Sequence, residues 1–162
     1  MTASRLLLRS AGRWVAPLFL LPMAAVSAAD DARWEGAWVR NVPPGAAVAA
    51  AYGSLLNSGS APVTVTAVTS TLGAAAQMHD IVASGDQRRM VPVDARTLAP
   101  GEALVFTPGG LHIMLMEFAE APKEGDAIEL CAVTIDSETI CTLAPVRRDA
   151  PAAAHHDAGH HH

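Results

Sequence analysis

Residues Gly109 to Phe118 read "GGLHIMLMEF". Leu111, Ile113 and Leu115 alternate with His112, Met114 and Met116. A period of two belongs to a β-strand, in which successive side chains point to opposite faces. The outer face of a half-buried strand normally carries charged or hydroxyl groups. Here it carries one imidazole and two thioethers. Either methionine fills gaps in a core, or soft ligands stand beside a histidine to hold a metal ion.

The segments around this stretch have the same character. Short runs rich in Val, Thr, Ile and Leu are separated by turn residues: "AWVR" stops at "NVPPG", "VTVTAVTS" follows "NSGSAP", and "ALVF" lies between "APGE" and "TPGG". The alanine run at 46–51 has helical propensity, but Gly53 and its strand-like neighbours oppose a helix. About eight or nine strands with regularly spaced turns predict a single all-β domain, an antiparallel β-sandwich or Greek-key barrel.

The ends differ from this middle. Arg5, Arg9 and Arg13 precede the apolar run "WVAPLFLLPMAAV", which closes on the small residues of "SAAD". This reads as a signal peptide over residues 1–29, cleaved to leave a mature chain near Asp30, exported to the periplasm. Pro17 and Pro22 interrupt the run and shorten it below the ~20 residues of a bilayer span. No cysteine follows it, which argues against a lipid anchor, so no membrane insertion of the mature protein is expected. Beyond residue 29 there remain eight Lys+Arg against sixteen Asp+Glu, a net charge of −8 with histidine neutral. Such an acidic chain lacks the clustered cations that phosphate contacts require, which excludes a nucleic-acid binder. Residues 30–146 are expected to form the folded domain, as a monomer. The last stretch, 147–162, ends in "AHHDAGHHH" and has no residues for a core. Its His155, His156, His160, His161 and His162 offer nitrogen ligands for a loosely held ion such as Cu(II).

Cys131 and Cys141, the only cysteines, flank the hairpin sequence "CAVTIDSETIC". A four-residue loop would turn them to opposite faces, and a three-residue loop would bring them onto one face. A disulfide and two buried thiols both remain open.

The candidate ligands gather in the middle of the chain. After residue 29 the methionines are Met78, Met90, Met114 and Met116, and the histidines outside the tail are His79 and His112. In "QMHDIVASGDQRRMVPV" a reversal at Ser84-Gly85 would put His79 directly opposite Met90. Cross-strand neighbours have Cβ atoms about 4.5–5.5 Å apart, close enough to share an ion. His112 and Met114 project from one face of their own strand. Met78 would point away from His79, and Met116 is expected to serve packing rather than ligation. Trp34 and Trp38 are assigned to the core.

These residues resemble the periplasmic copper chaperone family called PCu(A)C, whose motif is a His, ten residues, a Met, twenty-one residues, and His-x-Met. His79, Met90, His112 and Met114 meet each spacing. The likeness extends to "AWVRNVPPGAAVAAAY", "RRMVPV" and "TPGGLHIMLM", covering roughly Trp38 to Val146. Where family members often carry a methionine shortly after the first histidine, this chain has "HDIV". The resemblance implies a cupredoxin-like fold and Cu(I) bound by the four residues. It further implies delivery towards the dinuclear copper site of cytochrome c oxidase, with its subunit II and Sco-type copper proteins as partners.

Other classes fit less well. A blue-copper electron carrier needs a Cys thiolate just before a His and a Met, whereas both cysteines here follow His112 and Met114. No serine–histidine–acid constellation is available once both histidines are committed, so an enzyme is not expected. A copper-buffering or resistance protein would use the same ligands and differs only in who receives the ion.

Overall fold

The computed structural model describes residues 32–73, 75–85 and 87–149. Ten strands carry the fold: β1 Ala32–Arg40, β2 Val48–Asn57, β3 Val63–Ser70, β4 Ala75–Ser84, β5 Gln87–Pro92, β6 Arg96–Leu98, β7 Ala103–Phe106, β8 His112–Met116, β9 Ala127–Thr134 and β10 Thr139–Arg147. The alanine-rich run joins β2, since its alternate residues Ala49 and Ala51 are buried in the core, a period of two rather than 3.6. The expected all-β architecture is therefore observed, one strand richer than the turn signals implied.

The strands form one path, β5-β4-β8-β2-β1-β10-β9-β3-β6, with β7 also pairing β2. It doubles back at β1 and β10, where β5-β4-β8-β2-β1 meets β10-β9-β3-β6 through a short parallel pairing, Val39↔Val146 and Arg40↔Arg147. This pairing departs from the wholly antiparallel arrangement that hairpin-like turns predict. It joins the first and last strands of the domain, so no turn signal marks it. One core cluster draws on both layers: Val39, Ala51, Leu55, Ile113 and Leu115 from one, Val65, Leu130, Ala132 and Val146 from the other. Each of the larger side chains contributes about 1.5–3 kcal/mol by leaving water.

Two features position the site. β8 and β7 occupy the same edge of β2 in succession, β8 against Val48–Ala51 and β7 against Gly53–Leu56. The five residues between them, "TPGGL", bulge outwards in a closed loop in which Thr107 N donates to Leu111 O (2.7 Å) and Gly110 N to Thr107 O (3.1 Å). Gly53 stands at the changeover with φ +141°, and a Cβ there would lie 2.8 Å from Ala37 Cα, inside the β1 bulge between Glu35 and Trp38. Only glycine accepts both the dihedral and the approach.

The two cysteines are resolved by register. Thr139 pairs with Val133 and Cys141 with Cys131 across β9 and β10, which leaves Ile135, Asp136 and Ser137 as a three-residue loop. Ser137 takes φ 65°, the left-handed residue that closes such a loop. Cys131 and Cys141 share one face and form a disulfide.

Two outcomes follow. Cys131→Ala/Cys141→Ala lowers unfolding free energy in urea by about 3 kcal/mol, the loop-closure value for a ring this small. Gly53→Ala costs about 1–3 kcal/mol in the same measurement from backbone strain alone.

Candidate metal centre

Ile113 and Leu115 of β8 are fully buried in the core, so His112, Met114 and Met116 stand on the opposite face of the layer. On one side of β8 lies β4, in the register His79↔His112, Gln77↔Met114 and Ala75↔Met116. On the other lies β2, with Ala50 opposite Met114 and Val48 opposite Met116. The two histidines, thirty-three residues apart in sequence, are thus direct cross-strand neighbours, with ring centroids 6.2 Å apart and planes inclined by 60°. Alanine beside Met114 leaves its thioether room.

The β4–β5 hairpin corrects one expectation. Ser84 pairs with Gln87, so the reversal falls one residue later than Ser84-Gly85, with Gly85 at φ 61°. His79 faces Pro92, and Met90 faces Ile81. Shifting a reversal by one residue moves each partner by two, so Met90 keeps the face of His79 but sits diagonally to it, at about 7–8 Å, a span for a long side chain. It is half exposed, at 51%, while His112 is only 5% exposed. His112 therefore leaves the core face without reaching solvent, contrary to the outward position that alternation alone suggests. A groove of about 320 Å³ runs over this face, lined by Arg40, Tyr52, Ile81, Met90, His112 and Met114 among others. His79 is not part of its lining. Met78 lies on the other face of β4, buried in the core, and Met116 lies a further strand pair from His79 than Met114 does. The tail histidines fall outside the described residues.

Each imidazole has one ring nitrogen engaged. Nδ1 of His112 lies 2.8 Å from Gly110 O, a carbonyl presented by the "TPGGL" bulge, where Gly109 takes φ 83°. Arg88 of β5 donates to Gly109 O at 2.8 Å and ties the hairpin to the same loop. Nε2 of His79 lies 3.2 Å from Gln77 Oε1, while its Nδ1 is buried with no partner. Burial, and secondarily the nearby charge that His112 would carry, hold the His79 pKa below the ordinary 6.5. A buried nitrogen without a hydrogen bond is a cost unless something fills the place of one. A soft metal ion fits that place, since neutral imidazole and thioether are its ligands. Among the described residues no three of His, Cys, Asp or Glu converge, and the candidate donors this face offers are two imidazoles and the thioethers of Met90 and Met114.

Sequence reading missed the support around these groups. Trp38, buried as expected, stacks on Tyr52 (4.8 Å between centroids) on the face of β1 opposite Val39, with the Arg40 guanidinium 6.0 Å from one ring and 5.8 Å from the other. Trp34 does pack against the core and donates Nε1–H to Ile140 O at 2.9 Å. Gln77 could have been found, being two residues before His79 and so on its face; Tyr52 and Arg40 required the order of the strands. A larger concavity, about 940 Å³, lies elsewhere, between residues 41–47 and 118–124, and is lined largely by proline, alanine and Phe118.

Known proteins share this fold. The copper-bound PCuAC domain from PmoF2 superposes with a TM-score of 0.57 at 26% identity, over 75% of this chain and 94% of that domain. The solution structure of CuI-DR1885 from Deinococcus radiodurans gives a TM-score of 0.54 at 27% identity, over 70% and 76%. The fold is thus the cupredoxin-like one of PCuAC domains. A protein of Leifsonia xyli subsp. xyli, "Putative lipoprotein Lxx21020", is 30% identical over 120 residues, 74% of this chain and 71% of that one. The family model described as "Putative lipoprotein LpqE-like" matches residues 33–146, from within β1 to within β10, and the chain belongs to that LpqE-like family.

Proposed function

We propose that this protein is an exported Cu(I) carrier that holds one ion between His79, Met90, His112 and Met114. The observation that carries this reading is the pairing of His79 with His112 across β4 and β8, with a buried, unpartnered imidazole nitrogen between thioether-bearing strands. Copper named in the matched PmoF2 and DR1885 structures supports the choice of metal. Export is supported by the lipoprotein descriptions of the family and of its Leifsonia member, and by the signal-peptide pattern of residues 1–29. The proposed domain is 30–146, with a His-rich tail over 147–162 as a secondary site for Cu(II).

The ligand chemistry suits a carrier. Cu(I) is a soft d¹⁰ ion that accepts thioether sulfur and neutral imidazole without the tetragonal geometry Cu(II) prefers. Cys131 and Cys141 are bonded to each other on β9 and β10, in the other layer, so no thiolate belongs to the set. The site is then independent of thiol oxidation, and a recipient with thiolate ligands can take the ion. The same fact disfavours a blue-copper redox centre. The recipient we propose is the dinuclear copper centre of cytochrome c oxidase subunit II, reached alongside Sco-type proteins. The alternative is copper buffering or resistance, favoured by the histidines of the tail.

An anaerobic competition titration against a coloured Cu(I) chelator tests the site. It uses the chain with alanine at His155, His156, His160, His161 and His162. One Cu(I) per chain is expected, and His112→Ala/Met114→Ala should weaken it by more than about 100-fold, beyond the loss typical of outer-shell partners. Stoichiometric binding unaffected by that double substitution would refute the assignment.

The pH dependence has a definite sign. With its folded pKa below 6.5, His79 stays neutral to lower pH than a free imidazole, so protons compete with the metal there only below that value. In the apo protein the unfolded chain binds the proton more readily. The His79 contribution to stability is therefore complete above pH 6.5 and is lost as pH falls through and below it. An NMR titration of the ring should give a midpoint under 6.5. In urea melts, the acid-side loss should be smaller in His79→Gln.

A further inference from the structure

Two histidines set opposite each other on one ladder would ordinarily be expected to serve a metal in the same way. Their hydrogen bonds say otherwise. His112 has its Nδ1 at 2.8 Å from a backbone carbonyl, Gly110 O. A carbonyl oxygen only accepts, so Nδ1 of His112 carries the hydrogen and its Nε2 has the free lone pair. On His79 the positions are reversed. Its Nε2 is the engaged nitrogen, 3.2 Å from Gln77 Oε1, and its Nδ1 is the buried nitrogen with no partner. With Oε1 accepting, Nε2 of His79 carries the hydrogen and Nδ1 has the lone pair.

We propose that Gln77 is a positioning residue that fixes His79 as the Nε2–H tautomer, so that the site is built from unlike nitrogens, Nδ1 of His79 and Nε2 of His112. The inference rests on the Cu(I)-carrier reading for the identity of the metal, but the tautomers belong to the protein alone. Strand geometry gives Gln77 this task. It lies two residues before His79, on the same face of β4, and directly opposite Met114 in the β4–β8 register. Its side chain is exposed, whereas the nitrogen it controls is buried. One amide therefore borders both the imidazole of β4 and the thioether of β8. A ring free to flip would present Nε2 in some molecules and Nδ1 in others, and binding would have to select one of them. Outer-shell partners of a metal-bound histidine act by removing that freedom, and their loss commonly weakens metal affinity about 10–100-fold.

The test reads the apo protein first. Two-bond ¹H–¹⁵N spectra at about pH 8, with rings assigned from His79→Gln and His112→Gln, should show Nε2–H on His79 and Nδ1–H on His112. Gln77→Leu, which keeps the size but not the acceptor, should give an averaged tautomer signal on His79 and about 10–100-fold weaker Cu(I) binding. His112 signals and the urea midpoint should stay in place. Gln77→Glu restores an acceptor oxygen and should restore the Nε2–H signal. An Nδ1–H tautomer on His79 would mean that Gln77 donates instead, and would overturn the proposal. An unchanged His79 signal in Gln77→Leu would overturn it equally. The expected tautomers in a chain that binds no Cu(I) would leave the Gln77 assignment standing and sink the carrier reading.

Discussion

The structure around the candidate site depends on one ladder, the antiparallel pairing of β4 with β8. It places His79 opposite His112 and Gln77 opposite Met114. Backbone hydrogen bonds hold the two strands, and the core holds β8 in its orientation, because Ile113 and Leu115 are wholly buried. A slip of one residue would exchange the faces and drive His112 and Met114 into the apolar interior. Burial of two aliphatic side chains thus fixes where an imidazole and a thioether stand. Packing and ligand placement are the same constraint seen from two sides of one strand.

The surroundings refine that placement. The bulge between β7 and β8 turns Gly110 O onto His112, and Arg88 holds the neighbouring carbonyl from β5. Met90 arrives by a diagonal relation rather than a direct pair, and it is the most exposed of the four candidate residues. His79 and His112 lie deeper, and burial keeps the His79 ring neutral at pH values where a free imidazole begins to charge. The exposure of the four candidate donors thus runs from the covered His112 to the half-exposed Met90. The disulfide between Cys131 and Cys141 is separate from all this, in the other layer, bracing the β9–β10 hairpin.

Much of the site was legible from local pattern, because a strand's period of two assigns faces without knowledge of its neighbours. That Met78 faces away from His79, and that His112 and Met114 share a face, both follow from parity. The β4–β5 register did not follow, because a reversal at Ser84-Gly85 and one centred a residue later are both acceptable turn chemistry. The disulfide turned on the same kind of ambiguity: a loop of three or four residues changes whether two cysteines share a face, and Ser137 in the left-handed region settles it at three. Trp38 is buried, as an aromatic residue in such a strand predicts, but its neighbours Tyr52 and Arg40 depend on the order of the strands.

Strand formation, the side chains that share a face, and the clustering of candidate soft ligands between residues 78 and 116 are all readable along the chain. These are local properties, set by side-chain type and the two-residue repeat of extended backbone. Packing of the whole domain sets β4 beside β8, closes β1 on β10 in parallel, and covers His112 rather than exposing it. Those outcomes depend on which distant strands bury each other's apolar faces. That is a competition among all ten strands at once, and no short stretch of sequence records its result.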